Sequence, residues 1–126
     1  IKSYTDIEQS KKLAEIPPLE SADMCYVWDY EHICYTPELF GFIQNQDNEG
    51  VDHIDYPCWS LAALLGVLPK NLNIGRPSLE SNYMGYYWVQ YYDEFMKPNK
   101  YKTGCFNNPV DACVAMIEKL HELKML

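Results

Sequence analysis

The sequence predicts an α+β fold, with a mainly antiparallel sheet packed by about three helices in a single pair of layers. Three observations carry that expectation. Helix-start chemistry at both ends of the chain frames the middle: Thr5 with Glu8, and Asn108 with Pro109. Between them lie runs of β-favouring residues, above all the aromatic stretch at 83–95. The order helix, strands, apolar helix, strands, helix then puts helices on an antiparallel sheet. At 126 residues the chain reads as one domain, 1–126. A globule of this size buries roughly two thirds of its unfolded surface.

The first helix is expected to begin at Thr5 as N-cap, with Glu8 closing a capping box. Ile7, Leu13 and Ala14 share its apolar face, and Pro17-Pro18 ends it. Cys25-Tyr26-Val27-Trp28 and Ile33-Cys34-Tyr35 read as strands, joined by a turn through Asp29, Tyr30, Glu31 and His32. Residues 40–43 form an apolar patch, and the acidic segment 44–55 reads as a long loop.

Pro57-Cys58-Trp59-Ser60-Leu61-Ala62-Ala63-Leu64-Leu65 is expected to be a buried helix with Pro57 at its first position and Gly66 and Pro69 beyond its end. Leu72-Asn73-Ile74 suggests a short strand. Residues 83–95 read as one long strand, or as a hairpin with Lys100-Tyr101-Lys102. The last helix has Asn108 as N-cap, Pro109 at its first position and Asp111 near the positive end of the dipole. Val110, Cys113, Val114, Ile117 and Leu120 form one stripe at helical spacing.

The net charge of −8 sets limits on partners. Nucleic-acid affinity rests on Lys and Arg, and Arg76 is the only arginine. Direct nucleic-acid binding and anionic membrane surfaces are therefore disfavoured. There is no apolar leader and no run long enough to span a bilayer. Five widely spaced cysteines then suggest free thiols in a reducing, cytoplasmic setting.

Each chemical motif fails on a stated residue. No Cys-x2-Cys or His-x3-His pair nucleates a metal site; His53-x4-Cys58 is the nearest approach. Asn45, Asp47, Glu49 and Gly50 mimic a calcium loop, but Tyr56 stands where the bidentate Glu belongs. Hydrolase, phosphate-loop and dinucleotide signatures are absent. No cofactor, metal or catalytic residue is assigned. Cys58 is the candidate reactive thiol, because a helix start would favour thiolate, with His53 or His32 as partner. Cys113 lies on the apolar stripe and reads as core.

The aromatic stretch is the strongest candidate site. On a strand, Tyr86, Trp88 and Tyr92 share one face and Tyr87, Val89 and Tyr91 the other. One face packs on helices. The other is either a binding platform or a second buried surface.

Three segments also carry a resemblance. They are Tyr4-Thr5-Asp6-Ile7-Glu8-Gln9-Ser10-Lys11-Lys12-Leu13 with Leu19-Glu20-Ser21-Ala22-Asp23-Met24, then residues 57–65, then residues 108–123. Together they resemble a group of short uncharacterised proteins of gut Bacteroidales and their phages or other mobile elements. The resemblance spans about half the chain, omits the aromatic stretch, and implies a small cytoplasmic accessory protein with no activity to carry over. The leading expectation is a non-enzymatic protein-interaction domain, whose acidic surface or aromatic face meets a protein. The alternatives are a small-ligand binder or enzyme using Cys58 with a histidine, and a homo-oligomer subunit.

Overall fold

The computed structural model describes residues 2–16, 19–39 and 55–126. Among these residues there are three α-helices and two three-stranded antiparallel sheets. The helices are α1 (Ile7–Leu13), α2 (Leu61–Val67) and α3 (Pro109–Glu122). The first sheet has the order β2-β1-β3, with β1 Met24–Asp29, β2 Cys34–Glu38 and β3 Tyr56–Cys58. The second has the order β4-β5-β6, with β4 Arg76–Ser81, β5 Tyr87–Tyr92 and β6 Pro98–Lys102. The expected α+β class holds.

α3 forms as its sequence predicts. Asn108 accepts the Asp111 amide at 2.8 Å, and Pro109 fills the first turn, where no donor is missed. All five stripe residues are buried, and Ala112 and Met116 widen the stripe. This face packs on β5 and α2. It forms the main core with Leu13, Trp59, Leu64, Leu68, Ile74, Val89 and Tyr91. A smaller core of Met24, Tyr26 and Cys58 lies against the first sheet.

Several local expectations are corrected. The N-cap of α1 is Asp6, not Thr5, and the box closes on Gln9, not Glu8. Asp6 Oδ1 accepts the Gln9 amide at 2.8 Å, and Gln9 Oε1 accepts the Asp6 amide at 3.1 Å. Thr5 is instead fully buried. Its backbone is tied to the segment after β3, because the Thr5 amide donates to the Trp59 carbonyl at 2.9 Å. α1 ends with Ala14 as its C-cap, and Pro17-Pro18 lie outside the described residues.

Pro57 does not open a helix. Tyr56, Pro57 and Cys58 form β3 and pair with Tyr26, Cys25 and Met24. Among the described residues β3 pairs only with β1, and a strand at an edge can carry a proline. α2 starts four residues later, with Ser60 as N-cap accepting from Ala63 at 3.2 Å. It is not buried all round: within it only Leu64 is fully covered. The apolar patch at 40–43 and the loop residues 44–54, the calcium-like segment included, lie outside the described residues.

In the second sheet, Leu72-Asn73-Ile74 is a turn closed between Asn71 and Gly75. The strand that pairs with β5 is β4, a strand the sequence did not suggest. Within 83–95 only Tyr87–Tyr92 is strand. The expected hairpin with the 100–102 region is present as β5–β6.

Four turns share one device. The carboxylate or amide oxygens of Asp29, Asn71, Asn82 and Asp93 each accept two backbone amides downstream, at 2.9–3.2 Å. Each turn also holds a left-handed residue three or four positions on: Ile33, Gly75, Gly85 and Met96. A short side-chain acceptor stands in for the next strand where the chain reverses.

Candidate functional site

The alternation expected of the aromatic strand is realised in β5. Val89 and Tyr91 are fully buried against α3, and the Tyr91 hydroxyl donates to the Pro69 carbonyl at 2.9 Å. Burial alone pushes the Tyr91 phenol well up from its ordinary value. Tyr87 packs half-buried against the same core.

The other face of β5 carries Trp88, Gln90 and Tyr92. Cross-strand pairing puts Glu80 opposite Trp88, Ser78 opposite Gln90 and Arg76 opposite Tyr92. Trp88 and Tyr92 are half-buried, and Tyr86, at the strand's start, is 44% exposed. Gln90 interrupts the aromatic surface. The β5–β6 register shifts between Gln90 and Tyr92, and there the Gln90 amide donates to the carbonyls of Tyr91 at 2.8 Å, Asn99 at 2.9 Å and Tyr101 at 3.3 Å. Gln90 is itself buried, so Trp88 and Tyr92 stand apart on either side of a covered position.

Each of these two rings has a charged neighbour. The Lys102 ammonium lies 5.8 Å from the Trp88 ring centre. The Tyr92 phenol runs along the sheet and donates to Glu80, and that hydrogen bond raises the phenol's pKa from its ordinary value. Beside Tyr92 is a depression of about 570 Å³, lined among others by Lys70, Arg76, Glu80 and Met96. An adjoining one of about 440 Å³ shares Lys70, Arg76 and Tyr92 and extends to Leu72.

This region differs in charge from the rest of the chain. Residues 70–105 hold five cations against three carboxylates, whereas residues 1–69 hold three against twelve. Six of the ten large apolar side chains exposed among the described residues are also here; Tyr30, Ile33 and Leu39 lie by the first sheet and Leu123 at the end of α3. Leu72, Tyr83, Met84, Tyr86, Phe95 and Met96 are all exposed, and all but Tyr86 lie in the turns of the second sheet.

Cys58 is placed differently from expectation. It lies in β3, not at a helix start, and is fully buried. Its thiol donates to the Thr5 carbonyl at 3.6 Å and accepts from the Thr5 hydroxyl at 3.7 Å. Burial pushes its pKa up, the hydroxyls around it only partly offsetting that. His32 is out of reach: Cys58 pairs with Met24 at one end of β1, and His32 lies beyond the other end. The run from Met24 to Asp29 separates those ends by about 16 Å. His32 is bonded instead to Asp29 at 2.7 Å. His53 lies outside the described residues. Burial also raises the Cys25 thiol to about 11 and the Cys113 thiol to about 12, while Cys34 and Cys105 are exposed.

Two further clusters were not visible in the sequence. Tyr56, Tyr35, Trp28 and Tyr30 stack edge to face across the first sheet, at 5.3, 5.0 and 6.5 Å between successive centres. The parity of Trp28, Tyr35 and Tyr56 on β1, β2 and β3 could have revealed this, but only once the register was known. At the other end, Asp111 accepts from Lys2 at 2.9 Å, Gln9 at 2.7 Å and Asn108 at 2.7 Å, tying α1 to the start of α3. Among the described residues, no three His, Cys, Asp or Glu side chains converge as a metal site, and no helix is long and apolar enough to cross a membrane. No protein-family model matches the chain, and no curated protein or solved structure matches it either.

Proposed function

We propose that this chain is a non-enzymatic protein-interaction domain that docks its partner on the outer face and turns of the β4–β5–β6 sheet. The observation that carries the reading is that six of the ten large apolar side chains exposed among the described residues lie around that one sheet, beside Trp88 and Tyr92. Aromatic and Met side chains held on a rigid scaffold are the usual anchors of protein interfaces. The reading agrees with the accessory role in a cytoplasmic, mobile-element setting that the sequence resemblance implies. No observation favours the alternative that uses Cys58, since a buried thiol with a raised pKa is a poor nucleophile.

The test is capture of partners from cells of the native source by tagged wild-type protein, Trp88→Ala, and Glu118→Ala on α3 as control. A protein retained by wild type and control but lost with Trp88→Ala supports the reading. Identical capture by all three, with Trp88→Ala folded by circular dichroism, refutes it.

A further inference from the structure

We propose that two copies of this chain pair along β4, antiparallel and about a two-fold axis at Ser78, an inference that stands independently of the docking reading above. Among the described residues β4 pairs with β5 alone, so its other side is a sheet edge. The β4–β5 hairpin fixes which groups face that edge. The Asn82 amide donates to the Tyr86 carbonyl at 3.1 Å, and this pair continues the register that sets Ser81 opposite Tyr87. Antiparallel ladders alternate, so Arg76, Ser78 and Glu80 turn their backbone groups to β5, and Pro77, Leu79 and Ser81 turn theirs outward. β5 agrees, since Tyr87 exchanges hydrogen bonds with Phe106 at 2.6 and 2.8 Å, on its side away from β4. Pro77 stands where it leaves no amide bare. No turn or loop among the described residues offers the outward Leu79 and Ser81 amides an acceptor.

The side chains select the occupant of this edge. The opposite edge, β6, carries Pro98, Lys100 and Lys102, and Lys119 donates to the Lys102 carbonyl at 2.8 Å. Proline and lysine are the usual guards of an edge strand. β4 instead carries one cation and one anion, Arg76 and Glu80, on the same face with Ser78 midway. A two-fold at Ser78 sets Arg76 opposite the partner's Glu80 and Glu80 opposite the partner's Arg76, while each Leu79 amide meets the partner's Pro77 carbonyl. A two-fold at Arg76 or at Glu80 sets like charges face to face. Both groups have capacity for a further partner. Arg76 makes one side-chain contact among the described residues, with the Met96 thioether, a weak acceptor, and Glu80 gives one carboxylate oxygen to Tyr92. The net charge of −8 opposes self-association in general, but residues 70–105, which hold this edge, carry five cations against three carboxylates. The self-complementary pairing joins two sheets into one of six strands, with both outer faces on the same side.

Sedimentation velocity on the full chain, from micromolar to millimolar concentration, should show a monomer–dimer equilibrium. Arg76→Glu and Glu80→Arg should each weaken it roughly tenfold or more, because either one sets like charges across the axis at both ends. An equimolar mixture of the two variants should dimerise again, since every cross-axis pair is then opposite in charge; a variant that had merely unfolded could not be rescued in this way. Lys102→Glu, on the far edge, should leave the equilibrium unchanged. With the exposed thiols removed by Cys34→Ser and Cys105→Ser, mild oxidation should cross-link Ser78→Cys to its own copy and leave Ser81→Cys monomeric. If either charge variant is unfolded by circular dichroism, that cross-link decides. A chain that stays monomeric to millimolar concentration, or a dimer lost with Lys102→Glu, would overturn the pairing. So would a dimer indifferent to both charge variants, a mixture no tighter than its components, or a Ser78→Cys variant that fails to cross-link.

Discussion

Replacing Thr5 by Val separates two accounts of the same residue. If Thr5 capped α1, its loss would cost about 1 kcal/mol, and Asp would serve there equally well. In the fold its hydroxyl is a buried junction. It accepts the Trp59 amide at 3.1 Å, shares a 2.8 Å hydrogen bond with Ser10 and lies 3.7 Å from the Cys58 sulfur. Thr5, Ser10, Cys58 and Trp59 are all fully buried. Val keeps the shape and removes the oxygen. The Trp59 amide then has no partner, and a buried donor left unpaired costs about 1–3 kcal/mol. The Ser10 hydroxyl can turn to its own helix, so its share is smaller. Thr5→Val should therefore cost about 2–4 kcal/mol, a large part of a typical stability of roughly 5–15 kcal/mol. Asp6→Ala, which removes the actual cap, should cost about 1 kcal/mol. Thr5→Asp should be worse than Thr5→Val, because it buries a charge. Urea unfolding with a common slope measures all three. A Thr5→Val cost below that of Asp6→Ala, or a stable Thr5→Asp variant, would refute the buried-junction account.

Other expectations follow from single features. For Asp111, burial acts to raise the carboxyl pKa, but hydrogen bonds from Lys2, Asn108 and Gln9 outweigh it and hold the group below its ordinary 3.8. The folded-state pKa is depressed, so its contribution is complete above the unfolded value and is lost as pH falls through the folded one. Asp111→Asn should cost about 1 kcal/mol at neutral pH, and the two unfolding curves should converge in strong acid; a constant gap would contradict the linkage. In the native protein, iodoacetamide with peptide mapping should label Cys34 and Cys105 first, and Cys25, Cys58 and Cys113 at rates set by unfolding. Early labelling of Cys58 would reopen its role as a nucleophile. At Gly75, φ is +94° and an added Cβ would meet the Tyr92 carbonyl oxygen at 2.3 Å. Gly75→Ala should cost about 2–4 kcal/mol through strain and that collision, whereas Gly66→Ala, with nothing near its Cβ, should be neutral or stabilising by urea unfolding.

Local patterns in the chain were enough to specify α3, β1, the β1–β2 turn and the two-faced character of β5. Each rests on interactions between residues near in sequence: a cap three residues from its amide, a stripe at helical spacing, an alternation along one strand. Two of the errors of placement had another origin. Thr5 and Pro57 both satisfy helix-start rules, yet each lies beside a stretch of chain far away in sequence. The Thr5 amide is taken by Trp59, and Pro57 sits opposite Cys25. Where a distant strand offers hydrogen bonds and burial together, it overrides a cap worth about 1 kcal/mol.

The candidate face shows the same division. That Trp88 and Tyr92 would share a side was readable from spacing, whereas Tyr86 lies just before β5. That Arg76 stands opposite Tyr92 and that Gln90 divides the aromatics depend on the β4–β5 register and the irregular β5–β6 pairing. Register is a relation between strands, set by turn geometry and by which face finds a core. The Asx-type turns at Asn82 and Asp93 and the α3 stripe therefore decided together which side of β5 was left to solvent. Chain order alone carried the chemistry of that side chain by side chain, and tertiary pairing assembled it into a surface.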